Sequence, residues 1–189
     1  MEKQNEVYLS GKIVKISVKK SVIKGIIEVK RNSGALDQVP FITKQPIDTS
    51  SEFVSMKGRI QTKNVVGKDG KGHKKMYVFA DEVYSNKIEV NRNEVEFCGT
   101  IVSKEKMRNT PLGRTVIDVV VAINDDEGHS NYPAVIVWGL KAKLVDDLEI
   151  GSNIYLYGRF QSRNYEKNFD GKAEVRTAYE ISTKLLEVI

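Results

Sequence analysis

Two pairs of near-identical segments constrain this chain more than anything else in it. NEVYLSGKIV at residues 5–14 recurs as NEVEFCGTIV at residues 93–102, and GRIQTKN at 58–64 recurs as GRFQSRN at 158–164. Self-similarity of this kind marks a duplicated supersecondary unit, so the two copies are expected to share one fold. The landmarks lie farther apart in the second copy, which places an insertion there. We read residues 1–88 as one unit and 89–189 as the other, joined through the polar stretch SNKIEVN that starts at Ser85. A chain of 189 residues accommodates two small domains, each able to bury a core.

Both copies read as strands with little helix. Val- and Ile-rich runs cover residues 6–18, 22–31 and 38–43, with the turn signal NSG at 32–34, and 53–65 and 75–84 follow. The second copy yields 93–104, 114–124, 132–138, 153–165 and 173–185. Between its third and fourth strands Leu140, Leu144, Val145 and Leu148 fall at helical spacing, closed by Gly151. The first copy has KQPIDTSS there, and Pro46 leaves room for at most one turn. Five strands with a helix between the third and fourth is the order of the OB-fold. The expected architecture is therefore all-β: two tandem OB-fold Greek-key barrels, the second carrying the helix.

Composition narrows the function. At 40% hydrophobic and 29% charged the chain is ordinary globular protein. It has no apolar run long enough to span a bilayer and starts MEKQNE, so a soluble cytoplasmic protein with no membrane partner is expected. Cys98 sits in a strand-like run and reads as a small buried side chain. His73 and His129 have no partner at ligand spacing, so no metal and no cofactor are expected. Asp125, Asp126 and Glu127 read as an acidic hairpin loop rather than a calcium site. No nucleophile sits with a partnered base, and no phosphate-cradling glycine loop precedes a helix, so the chain is not expected to be an enzyme. An OB-fold nuclease would need carboxylates beside arginine on the open face, whereas the acids read as grouped in loops.

What remains is a binding face. Over residues 153–165 Tyr157, Arg159, Gln161, Arg163 and Tyr165 alternate with Ile154, Leu156 and Phe160, and in the strand before them Tyr132, Ala134, Ile136 and Trp138 share one side. Rings and guanidiniums on one face suit stacked bases and a phosphate backbone. Trp138 alternates with valines, a pattern that serves a core ring as well as a stacking one. Of Tyr155 and Tyr157, one is expected to face the core and the other a subunit contact. Arg59, Gln61 and Lys63 repeat the alternation in the first copy. Charge is divided unevenly: residues 1–88 hold 17 Lys and Arg against 9 Asp and Glu, residues 89–189 hold 13 against 16. Lys15, Lys19, Lys20, Lys24, Lys30, Arg31, Arg59, Lys63, Lys74 and Lys75 of the first copy are candidates to track phosphates, and that copy is expected to supply most of the salt dependence.

The second copy resembles the bacterial single-stranded DNA-binding proteins, through NEVEFCGTIV, PLGRTVIDVVVAIN, PAVIVWGLKAKLV and IGSNIYLYGRFQSRNY. The resemblance implies stacking rings at Tyr132, Trp138 and Tyr165, a basic contact at Arg163, and backbone contacts at Arg108 and Arg114. It implies non-sequence-specific binding of single-stranded DNA in replication, recombination or repair, and a homodimer that brings four OB-folds together. The family's usual aromatic after the second strand is missing, and Val65 stands where Tyr165 would in the first copy. The family's glycine-rich segment with an acidic tip has no counterpart in this sequence, which ends KLLEVI. RNA as a ligand, replication or repair proteins as partners, and a primosome-type or scaffold module with weak nucleic-acid binding stay open as alternatives.

Overall fold

The structure is a computed structural model and describes residues 5–48, 50–66, 70, 72–124, 128–169 and 172–189. The acidic loop expected at 125–127 lies outside the described residues, as do Lys68 and Lys71 of the glycine-containing loop. The first half forms β1 (Asn5–Lys19), β2 (Val22–Lys30), β3 (Leu36–Thr43), β4 (Phe53–Val66) and β5 (Gly72–Asn86). β1 pairs with β2 and β4, β4 with β5, β5 with β3 in parallel, and β3 with β2. The second half forms β6 (Arg92–Lys104), β7 (Arg108–Asn109), β8 (Thr115–Asn124), β9 (Ser130–Asn131), β10 (Ala134–Trp138), α1 (Leu140–Asp147), β11 (Asn153–Phe169) and β12 (Lys172–Val188). β6 pairs with β8 and β11, β11 with β12, β12 with β10 in parallel, and β10 with β8. The architecture is nearly all β around a closed five-stranded barrel with one short helix, as an OB-fold requires. The short strands β7 and β9 were not anticipated by the alternation, being two residues each.

Alternation builds the core. Val7 and Leu9 on β1, Val95 and Phe97 on β6, and Ile154, Leu156 and Phe160 on β11 are all buried inward, each such side chain contributing about 1.5–3 kcal/mol when fully removed from water. Closure needs bends at fixed places. The ladder slips between Lys57 and Gly58 on β4 and between Tyr157 and Gly158 on β11, and the crossing strand comes so near that a Cβ on Gly58 would sit 2.0 Å from the Phe79 carbonyl oxygen and one on Gly158 2.4 Å from that of Ser182. Only glycine permits this approach.

β1 and β6 run antiparallel and merge the two halves into one sheet, with Asn5 opposite Phe97, Val7 opposite Val95 and Leu9 opposite Asn93. Asn5 and Asn93 play the same part on either side. Asn5 Oδ1 accepts the Ile60 amide at 2.9 Å and its Nδ2 donates to the Ile60 carbonyl at 3.1 Å, while Asn93 does the same with Phe160 at 2.8 and 2.7 Å.

Three expectations need correction. The helix buries Ala142 and Val145, with Leu148 packed against the core, while Leu140 and Leu144 are 81% and 43% exposed; eight residues give too short a stripe to bury all four leucine and valine positions. Tyr155 and Tyr157 both lie half-buried on the outer side, because residues two apart on a strand share a face. Cys98 is half-buried beside Tyr155 on that outer side, not in the core. Among the described residues no helix is long and apolar enough to cross a membrane.

Candidate nucleic-acid interface

Val135 and Val137 belong to the core, so alternation turns Ala134, Ile136 and Trp138 to the outer face of β10. Trp138 is half-buried there, its indole N–H donating to Ser182 Oγ at 3.1 Å. Register on the neighbouring strands sets Arg159 beside Ser182, Gln161 beside Glu180, Arg163 beside Ala178 and Tyr165 beside Arg176. The row is not uniformly open. Gln161 is buried, its Nε2 donating to Glu180 Oε1 at 2.8 Å and its Oε1 accepting from Arg159 Nη2 at 2.7 Å. Arg163 is exposed, with Nε 3.8 Å from Glu180 Oε1. Arg108 forms an ion pair with Asp118, and Arg114 is exposed just before β8. The acids are thus not confined to loops: Glu180 and Asp118 stand on strands, each beside a guanidinium. Among the described residues no group of three or more His, Cys, Asp and Glu could hold a metal ion.

Tyr132, Tyr165 and the lysines Lys63, Lys74 and Lys75 lie where the two halves adjoin. The Tyr132 N–H donates to Thr62 Oγ1 at 2.9 Å, and the Thr62 N–H donates to Asn131 Oδ1 at 2.8 Å. These bonds draw the end of β9 onto β4. The Tyr132 ring is 38% exposed, with Lys74 Nζ 5.1 Å from its centroid, a cation–π approach. Tyr165, equally exposed, lines a hollow of about 450 Å³ with His73, Lys74 and Arg176. A hollow of about 650 Å³ shares its Lys74, Met76, Thr177 and Tyr179 wall and adds Lys24, Lys63, Lys75 and Tyr77. Together they make one cationic trough lined by aromatic side chains. Lys24 was among the cations expected to track phosphates; His73, Arg176 and Tyr77 were not expected in the trough. Tyr77 stands opposite Gln61 and Lys75 opposite Lys63, so extending the alternation of β4 across the hairpin would have found Tyr77. Burial raises the Tyr77 phenol above its ordinary pKa.

Other candidates are occupied elsewhere. Arg59 Nη1 donates to both Asp81 oxygens at 2.6 Å, and its guanidinium lies 4.8 Å over the Phe79 ring. Arg31 grips Asp37, a fully buried carboxylate, with Nε 2.7 Å from Oδ2 and Nη2 on Oδ1. Asp37 Oδ1 also accepts the Ser162 N–H at 3.3 Å, and the Gln38 N–H donates to Ser162 Oγ at 2.9 Å. Arg159 reaches into the same junction, Nε 3.8 Å from Asp37 Oδ2. Burial, then the nearby Arg31, hold its pKa below the usual arginine value.

Comparisons with known proteins agree with this geometry. Residues 92–189, just over half of the chain, match the Single-strand binding protein family. A single-stranded DNA-binding protein from Thermus aquaticus is 32% identical over 97 residues, which is 47% of this chain and 37% of that protein. The chain therefore matches little more than a third of that relative's length. The crystal structure of the wild-type single-stranded DNA binding protein from Thermus aquaticus superposes with a TM-score of 0.77 at 16% identity, covering 100% of this chain and 94% of that one. A deletion mutant of that protein gives 0.72 at 18% identity, covering 100% and 96%. At such identities the structures speak to the fold, which is shared along the whole length, while the family match identifies the second half. On that match the chain belongs to the Single-strand binding protein family.

Proposed function

We propose that the chain binds single-stranded DNA without sequence preference, protecting and organising it in replication, recombination or repair. The observation that carries this is the trough, in which exposed Tyr165 stands beside Lys74, while Lys63 and Lys75 line the adjoining hollow and exposed Tyr132 lies against Lys74 at its edge. Any base offers a π-face to a tyrosine and any backbone offers phosphates to a lysine, so the arrangement binds strands while reading little sequence. It works by positioning alone. Trp138 extends the platform on the outer face of β10, and Arg163, Arg114 and Arg108 continue the cationic surface. In this reading residues 1–88 and 89–189 are two tandem OB-fold units, a division supported by the repeated strand pairings and by the twin bonds of Asn5 and Asn93.

A second copy of the chain would complete four such units. The outer side of the merged sheet carries Tyr8, Tyr155 and Tyr157 between Glu6, Glu94, Arg92 and Lys57, all close to the β1–β6 seam, a mixed aromatic and charged face of the kind homodimers bury. Trp138 is the sole tryptophan, so its fluorescence can be followed while oligo(dT), oligo(U) and duplex DNA are titrated at two salt concentrations. Salt-sensitive quenching by oligo(dT) that exceeds both other ligands supports the proposal. No binding of oligo(dT) at low salt refutes it.

A further inference from the structure

A second cationic site lies at the other end of the seam. Between the β2–β3 hairpin and strands β6, β11 and β12 is a pocket of about 530 Å³ whose wall carries Lys30, Arg31, Arg92, Arg114, Arg159 and Lys184. Among the described residues the carboxylates on that wall are Asp37 and Glu94. Both are engaged: Asp37 by Arg31 and, more distantly, by Arg159, and Glu94 by Arg92 Nη2 at 2.7 Å. One carboxylate between two guanidiniums leaves a charge over, and exposed Lys30, Arg114 and Lys184 add three more. Arg159 supplies the most specific sign. Its Nε is buried yet makes no hydrogen bond, since 3.8 Å to Asp37 is too long for one. A buried donor left unmade is unfavourable, and this one borders a pocket with surplus positive charge.

We propose that this pocket is a phosphate site. Guanidinium forks match the oxygens of a phosphate geometrically as well as electrostatically, and an anion placed there would give Arg159 its missing acceptor while relieving the repulsion between Arg159 and Arg31. The volume is generous for a lone ion and suits a phosphodiester with its flanking sugars. β11 leads from Arg159 past Gln161 and Arg163 to Tyr165 in the trough, about 20 Å at the rise of an extended strand, so one polynucleotide could occupy both. The source of the phosphate rests on the single-stranded DNA reading; the site itself does not.

Arg114→Gln combined with Lys184→Gln tests it, because both side chains are exposed and the double variant's thermal midpoint in sodium chloride verifies its fold. One arm compares midpoints in sodium phosphate and sodium chloride at equal ionic strength, since a ligand that binds only the native state raises the midpoint. The other follows log K for oligo(dT) against log salt, where each lost phosphate contact lowers the slope by about 0.7. A phosphate-specific rise in the wild type that the variant lacks supports the site, and so does a slope reduced by about 1.4. The rise without the slope change retains a phosphate site but removes the strand as its source. Absence of both effects overturns the proposal. Failure of the wild type to bind oligo(dT) sinks the function proposed above, and the midpoint arm then decides the pocket independently.

Discussion

Val7 of β1 stands directly opposite Val95 of β6, and the two are the same position of the repeated sequence. An antiparallel pair centred on equivalent residues generates a local two-fold relation, so contacts across the seam can recur in pairs. Thr62 and Ser162 form such a pair: each offers its hydroxyl to a backbone N–H of the other half, from Tyr132 and Gln38 respectively, and each gives its own N–H to an Asx side chain, Asn131 or Asp37. Thr62→Val with Ser162→Ala removes both acceptors. We expect a loss of about 1–3 kcal/mol for the double change, read by denaturant unfolding; an unchanged midpoint would show these bonds to be incidental.

Asp37 is the more demanding member of that set. Removing a buried carboxylate from between Arg31 and Arg159 strands their charges, a change that costs about 3–5 kcal/mol where one partner of a buried pair is lost. Asp37→Ala should lie near the lower end, because the Arg31 side chain keeps 26% of its surface exposed. Asn131→Ala, its counterpart with no ion pair, should cost clearly less. Equal losses would contradict the ionic account.

In the trough, Tyr132→Ala and Tyr165→Ala should each weaken oligo(dT) binding by about 1–3 kcal/mol, or roughly 5- to 150-fold, without lowering thermal stability appreciably. Replacing Lys63, Lys74 and Lys75 together by Gln should instead flatten the dependence of log K on log salt by about 2. Affinity that survives the two tyrosine changes together would move the binding site elsewhere.

Glycine at the barrel closures is open to direct test. Gly158→Ala drives a Cβ against the Ser182 carbonyl, so the ladder between β11 and β12 must shift. A loss of about 1–3 kcal/mol, typical of overpacking, is expected, whereas Gly34→Ala, with open space around it but a φ of 85°, should cost only about 1 kcal/mol of backbone strain. Calorimetry that ranks the two the other way would dispute the close approach.

Alkali should find Tyr155 late. Burial and then the Glu96 carboxylate, which accepts its hydrogen bond, push this phenol from 10.0 up to about 12. The neutral form is favoured in the native state, so the associated stability is fully present below the unfolded value and is lost as pH climbs from about 10 to about 12. Tyr155→Phe should therefore shallow the alkaline decline of the denaturation midpoint; superimposable profiles would refute it.

Repetition and alternation made the strands and the outward side of Tyr132, Arg163 and Tyr165 legible before any coordinates. They could not show what lies over an outward side. Gln161 has the parity of an exposed residue, but its amide is tied between Arg159 and Glu180 and β3 packs against β11, so it is buried. Arg31 and Asp37 are six residues apart and look like ordinary hairpin charges; only the docking of Ser162, distant in sequence, makes their pair a buried one. Arg176 failed for a different reason, since its place depends on how two hairpins converge, which no single strand records.

The β1–β6 junction lies within one polypeptide. Dilution therefore does not part its halves as it would two separate subunits, and each half is free to accumulate substitutions that its twin does not share. Asp37 against Asn131, and Val65 against Tyr165, are such divergences. Under the proposed reading, a single strand laid across the molecule would meet unlike ends, so its two 5′-to-3′ senses would be inequivalent, as they would not be on a strictly symmetric pair of identical barrels.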